Sequence, residues 1–403
     1  MALFVSAIFF APLVAGTIGA DSRIVILGGM ASLPDRPLSR LRNAPAVQAG
    51  REVFQNDWSK LAPRSALRCM PAFVLPIVLG MALGETRFGV IAAAGAFSVG
   101  FGSFQQLRRS RAAPMLWASI GIAVCSWIGT LAGLNTATAI LAIALTGATF
   151  AFVPLMSSAV SWIALQCAVW LIISTAYPAT GTHALTRGLL LLAGGLFQLL
   201  CVVVLWRIER RMTPAYGFHV VERRAEEQLT LHSPRVVFAI ESAIALVLAA
   251  AVYRFVGLSN SYWIPMTAVI ILKPERRQTY QRGLQRILGT IVGVTIATLV
   301  LQVSPHMPKA LAVLTIVFAY AAYNLLFVNY GAFATFLTGY VVFVLALAGL
   351  PVHSLVWHRL ICTAIGGALV MTVYGIGSLV QRRAREREES GEAEEESPLR
   401  RAG

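Results

Sequence analysis

The chain has 403 residues, of which 57% are hydrophobic and only 13% charged, with a mean hydropathy of +0.71. A soluble domain carries about a quarter charged residues, so an ordinary soluble enzyme or binding module is excluded. The net charge of +15 lies in short basic runs between apolar stretches, which fits the loops of a multi-spanning membrane protein rather than a nucleic-acid-binding module.

In chain order, residues 1–63 come first. Their opening, MALFVSAIFFAPLVAGTIGA, is apolar but has no basic flank and no small-residue cleavage site; it fits an amphipathic segment, an extra span or a start placed too early. Stretches apolar enough to cross a bilayer follow at 66–84, 88–104, 115–133, 136–153, 155–177 and 187–206. A polar, charged connector occupies 207–234. The pattern then restarts at 236–256, 262–272, 284–303, 309–327, 330–350 and 360–380. The tail, 381–403, has no apolar periodicity and reads as solvated and without regular structure.

The expected fold is an all-α polytopic membrane protein of about twelve transmembrane helices, arranged as two parallel six-helix repeats, 64–206 and 235–380. Charge supports the layout. Of the 33 Lys and Arg residues, 28 fall on one side of this topology, leaving Arg87, Arg187, Arg254, Lys309 and Arg359 for the loops of the other. The positive-inside rule then places both termini in the cytoplasm. RGLLLLAGG at 187–195 and RLICTAIGG at 359–367 share an arginine followed by a Gly-Gly pair. Each half holds an even number of spans, so the halves run parallel, with any pathway near their common axis.

The stretch SYWIPMTAVIILKP, 261–274, departs from an ordinary span. Its apolar part is short, and Pro265 removes a backbone donor, so a kinked or broken helix is expected there. A freed backbone group is tolerated only in the protein interior or beside a pathway. Tyr262 and Trp263 suit either an interfacial anchor or a stacking surface for substrate. Lys273, Arg276, Arg277, Arg282 and Arg286 follow within fourteen residues. Such a cluster serves topology and lipid contact, or gathers carboxylates at a pathway mouth. Arg286 enters the next apolar span and must snorkel or face a wet interior. Gly289 and Gly293 form a small-xxx-small pattern for close helix approach. Glu241, inside span seven, reads as a proton carrier, as partner to Arg286, or as a packing salt bridge.

The segment 262–293 resembles the fusaric-acid-resistance (FUSC) family of membrane transporters at Tyr262, Trp263, Thr267, Pro274, Arg286, Gly289, Thr290 and Gly293. The first half looks like a diverged copy without the Tyr-Trp and Arg-x-x-Gly-Thr elements. The resemblance, which extends to plant malate-transporting anion channels, implies a two-repeat bundle in the plasma (inner) membrane that exports aromatic or other organic carboxylates. The implied pathway residues are Arg286, Arg282, Lys273, Thr267, Tyr262, Trp263 and Thr290. Pro265, Pro274, Gly289 and Gly293 shape the helices, and Glu241 couples protons or forms an ion pair. Family exporters carry a sizeable helical domain after each six-span set; the short connector and tail here point to a homo-oligomer or an accessory subunit.

No phosphate-binding loop, catalytic constellation or metal spacing stands out, so neither an enzyme nor a cofactor is expected. The five cysteines lie singly in apolar stretches. The partners expected are an organic anion and the lipid bilayer. A secondary transporter leads; an organic-anion channel and a membrane scaffold for envelope assembly remain as alternatives.

Overall fold

The computed structural model describes residues 55–107, 110–152, 158–210, 234–258, 260–303, 307–350 and 352–399. The described residues lie in one of two compact units, residues 44–403. The opening stretch, 1–33, and most of the connector lie outside the described residues.

Each expected span is a helix. The helices are α1 (Pro63–Ala82), α2 (Thr86–Gly100), α3 (Ala112–Ala132), α4 (Thr136–Phe152), α5 (Ser158–Thr175) and α6 (Gly181–Arg210) in the first half. The second half holds α7 (Pro234–Phe255), α8 (Trp263–Ile271), α9 (Arg276–Val303), α10 (Pro308–Leu325), α11 (Tyr330–Leu347) and α12 (Val352–Leu399). Among the described residues there is no strand, as hydrocarbon demands of any structure that is not a closed barrel. Ten helices are long and apolar enough to cross a membrane. The two others are α4, whose apolar part is Thr136–Gly147, and α8, only nine residues long.

The helices meet through small residues and turn large ones outward. Leu141 and Leu145 on α4, Leu189 and Leu200 on α6, and Leu75 and Leu79 on α1 are all exposed, a surface suited to lipid tails. Without a hydrophobic drive between helices in lipid, association rests on close packing. Gly95 of α2 lies against the Leu191 backbone of α6, and Gly194 of α6 lies reciprocally against Ala92. Gly129 of α3 and Gly133, which caps it, meet the backbone of Leu171 and Thr175 in the last turns of α5. Gly289 and Gly293 of α9 meet the Gly331 and Thr335 backbone of α11, the close approach expected of their spacing.

The halves interlock through an aromatic core. Tyr323 of α10 donates a hydrogen bond to the Phe97 carbonyl of α2 at 2.7 Å, and its ring lies 4.5 Å from that of Phe101. Phe97 in turn sits 4.3 Å from Tyr340 of α11.

Two expectations are corrected. Pro265 does not kink a helix: α8 begins at Trp263, so the proline falls in the first turn, where no N–H is needed. The tail continues α12 without a break to Leu399, because its Glu, Arg and Ala residues are good helix formers even without an apolar face.

The glycine contacts give a test. A Cβ at Gly289 would press into the Gly331 carbonyl, whereas one at Gly367 would meet only the Ile287 side chain at 3.3 Å. Gly289→Val should destabilise the protein by roughly 2 kcal/mol or more, and Gly367→Ala should be nearly neutral. Thermal unfolding midpoints of the detergent-solubilised variants check the contrast.

Candidate functional site

The site begins with the interruption around α8. Before it, Gly257 and Asn260 take positive φ values of 67° and 61°, conformations open to glycine and tolerated by asparagine. After it, Leu272 leaves the helix with ψ 124°, and Pro274 biases Lys273 away from helical geometry. The backbone freed at Lys273 is satisfied by side chains. Thr279 Oγ1 accepts from the Lys273 N–H at 2.9 Å and donates to its carbonyl at 3.0 Å. Tyr374 donates to the same carbonyl at 3.1 Å. Side-chain rescue of this kind is what permits non-helical backbone at membrane depth.

This short helix is buried almost throughout and borders a cavity of about 900 Å³. The cavity is walled by aromatic rings from both halves, among them Phe97, Trp162, Trp170, Tyr177, Tyr330 and Tyr340. It reaches Arg87, at the start of α2, and Leu350, just after α11, at one end of the bundle. At the arginine-rich end it reaches Lys273, Pro274 and Phe327. Its lining includes six cations, Arg87, Arg187, Lys273, Arg282, Arg286 and Arg359, and no Asp or Glu among the described residues.

Two of these cations differ from the rest. Arg286 is 1% exposed, and its Nε and Nη1 have no hydrogen-bond partner. Arg359 is likewise 1% exposed, with Nε, Nη1 and Nη2 unpartnered. The Arg359 guanidinium lies 4.8 Å from the centre of the Trp263 ring, a cation–π contact that holds the fork flat against the wall. Both guanidiniums line the same cavity. Arg187, by contrast, is satisfied: Nη1 donates to Thr130 Oγ1 at 3.0 Å and to the Tyr177 carbonyl at 2.5 Å. Arg282 lies 4.9 Å over the Tyr330 ring.

A buried charge without a counter-charge is costly. Guanidinium forks bind carboxylates with two parallel hydrogen bonds, so Arg286, Arg359 and the Trp263 face together can hold a planar acid. At the arginine-rich end, Lys273 lies in the connection between α8 and α9, outside either helix. Burial, and next the nearby Arg282 charge, press its pKa down from the usual lysine value to about 7.

Of the residues expected to form the pathway, Arg286, Arg282, Lys273, Tyr262, Trp263 and Pro274 line the cavity. Tyr262 and Trp263 are buried rather than set at an interface, and the Tyr262 ring lies 6.0 Å from Tyr177 of the first half. Thr267 and Thr290 are not brought there. Both are buried with unpartnered hydroxyls, and Thr267 faces Gly366 of α12 instead. Glu241 does not meet Arg286. It accepts from Arg276 Nη2 at 2.6 Å, and Arg276 also donates to the Tyr374 carbonyl at 3.2 Å.

Arg359, counted from the sequence among the loop residues, is the main omission. Its signal was present in the Arg…Gly-Gly pattern shared with Arg187, since both arginines line the cavity. Trp162, Gln166 and Trp170 of α5 were also missed; Trp170 is fixed by donating to Ser98 Oγ at 2.8 Å.

Fold and site together define a multi-pass α-helical membrane protein with a cationic, aromatic cavity along its length. Residues 248–373 match the family described as fusaric acid resistance protein-like, and the resemblance seen at 262–293 holds over that segment. Among curated proteins, an uncharacterized protein of Synechocystis is 28% identical over 144 residues, 35% of this chain and 19% of that protein. An uncharacterized protein of Neisseria gonorrhoeae is 30% identical over 146 residues, 35% of this chain and 34% of that protein. The inner membrane protein YccS of Escherichia coli is 28% identical over 101 residues, 25% of this chain and 14% of that protein. The matches thus span between 14% and 34% of these relatives. No solved structure matches.

The Glu241–Arg276 pair yields a prediction. Glu241 is only 9% exposed and Arg276 24%, so Arg276→Ala strands a largely buried carboxylate. The loss should be about 2 kcal/mol, with Glu241→Gln in the same chain restoring much of it. Unfolding midpoints of the two single variants and the double variant measure the coupling.

Proposed function

We propose that this chain is a secondary transporter that moves aromatic or other organic carboxylates across the plasma (inner) membrane through the central cavity. The observation that carries this reading is two buried guanidiniums in the cavity lining, Arg286 with Nε and Nη1 unpartnered and Arg359 with all three nitrogens unpartnered beside the Trp263 ring. Aromatic walls suit a ring, and cations without neighbouring acids suit its carboxylate. The arginine-rich end faces the cytoplasm by the positive-inside rule, so export starts where Lys273 and Arg282 gather the anion. The family segment and the printed name of the Escherichia coli relative support this placement.

The halves act as parallel repeats in this reading. Thr136 and Ser158, which open α4 and α5, lie at one constant offset from Pro308 and Tyr330, which open α10 and α11, and Arg187 and Arg359 share that offset. A carrier of this kind rocks one repeat against the other about a central site. Glu241 belongs to the scaffold rather than to proton coupling, since it pairs with Arg276 and does not line the cavity.

Uptake of radiolabelled benzoate into proteoliposomes tests the proposal, under an imposed pH gradient and separately under a potassium-diffusion potential. Arg359→Gln and Arg286→Gln should each lower flux roughly tenfold or more at limiting substrate, and Arg359→Lys should not rescue it, because an ammonium lacks the planar fork. No flux for several aromatic acids through folded, inserted protein would overturn the reading, and flux driven by potential alone would make the chain a channel.

Lys273 adds a pH dependence. Its amine is charged below about pH 7 and neutral above, so benzoate affinity should fall as pH rises through 7. Lys273→Arg should flatten that slope. Equilibrium binding between pH 6 and 8 measures both.

A further inference from the structure

A second pocket lies apart from the cavity, at the arginine-rich end of the first half, and has a volume of about 310 Å³. Three arginines distant in sequence converge on it: Arg68 from α1, Arg111 at the entry to α3, and Arg207 near the end of α6. Arg68 is positioned by Ser65, with Nη2 donating to Ser65 Oγ at 2.9 Å, and by Glu209, 3.4 Å from Nε. Among the described residues the pocket lining holds these three arginines and no Asp or Glu. Arg111 lies 6.0 Å over the Trp206 ring. Ser110 Oγ accepts from the Ala113 N–H at 3.2 Å, so the positive end of α3 also borders the pocket.

The remaining walls are apolar. Met115, Val202 and Val203 line the pocket, and Leu67, Leu116 and Val204, each next in sequence to a lining residue, are exposed. A cationic pocket with hydroxyls, continuous with lipid-facing apolar side chains at the level of the helix ends, has the composition of a headgroup site. A tryptophan beside it suits the membrane interface.

We propose that this pocket binds the phosphate of an acidic phospholipid, with Arg68, Arg111 and Arg207 on the phosphate oxygens and the acyl chains along Leu67, Leu116 and Val204. Basic pockets between helices at the cytoplasmic surface bind such headgroups, and arginine matches phosphate geometry. The pocket and the cavity share a packed wall. Gly102, in the short turn Phe101–Phe104, is flanked by Trp162, which lines the cavity, and by Met115, which lines this pocket. The proposal does not depend on the transported substrate.

The test uses the full chain purified in detergent and its thermal unfolding midpoint. Mixed micelles with phosphatidylglycerol should raise the midpoint by about 3 °C or more, while phosphatidylcholine micelles and inorganic phosphate should not. The Arg68→Gln/Arg111→Gln variant should lose the rise, and Arg383→Gln, an exposed position at the same end, should keep it. If the double variant fails to fold, Arg207→Gln is read by native mass spectrometry, as fewer phosphatidylglycerol molecules retained. Equal stabilisation by phosphatidylcholine, full stabilisation by phosphate alone, or an undiminished lipid effect in the pocket variants would overturn the proposal.

Discussion

A helix of nine residues cannot cross a bilayer, and hydrocarbon does not tolerate bare backbone. The design of the second half depends on that conflict at α8. The segment must be enclosed by protein, and it is, with α5, α7, α9 and α12 packed around it. Thr279 and Tyr374 take up the polar groups that the break releases at Lys273. Enclosure places Trp263 inside the bundle rather than at its rim, within reach of Arg359. The short helix thereby turns a local breach of regular structure into the floor of the site.

The cationic lining is held by different means at different depths. Arg187 donates to a hydroxyl and a carbonyl, and Arg282 and Arg359 lie on aromatic faces. Ring quadrupoles lower the cost of burying charge without supplying a counter-ion. The chain keeps its carboxylates elsewhere, Glu241 on Arg276 and Glu209 on Arg68. Separating acids from the cavity leaves the guanidiniums available to an incoming anion, which a salt bridge within the lining would prevent.

Much of the fold was legible because a membrane span is a matter of length and apolarity, and each apolar run among the described residues became a helix. The packing role of Gly289 and Gly293 was equally plain, since their spacing alone puts them on one face. Depth was not legible. Arg286 was the expected partner for Glu241, but Arg276, about 15 Å away on the same helix, is the one that the packed bundle places against the carboxylate. Arg359 stood at the edge of an apolar run and so resembled a loop residue; the structure starts α12 at Val352, two turns earlier, and draws it inside. Pro265 misled for a similar reason, because its effect depends on where the helix begins.

The absence of acidic side chains among the described lining residues also bears on leakage. A membrane that stores energy as a proton or sodium gradient is drained by any continuous polar route between its two faces. In the proposed pathway the lining carries five guanidiniums, Arg87, Arg187, Arg282, Arg286 and Arg359, and the titratable amine of Lys273. In a low-dielectric enclosure such charge raises a barrier of several kcal/mol against a hydronium or sodium ion. Under the proposed function, the side chains that attract an anion would also oppose the passage of a cation.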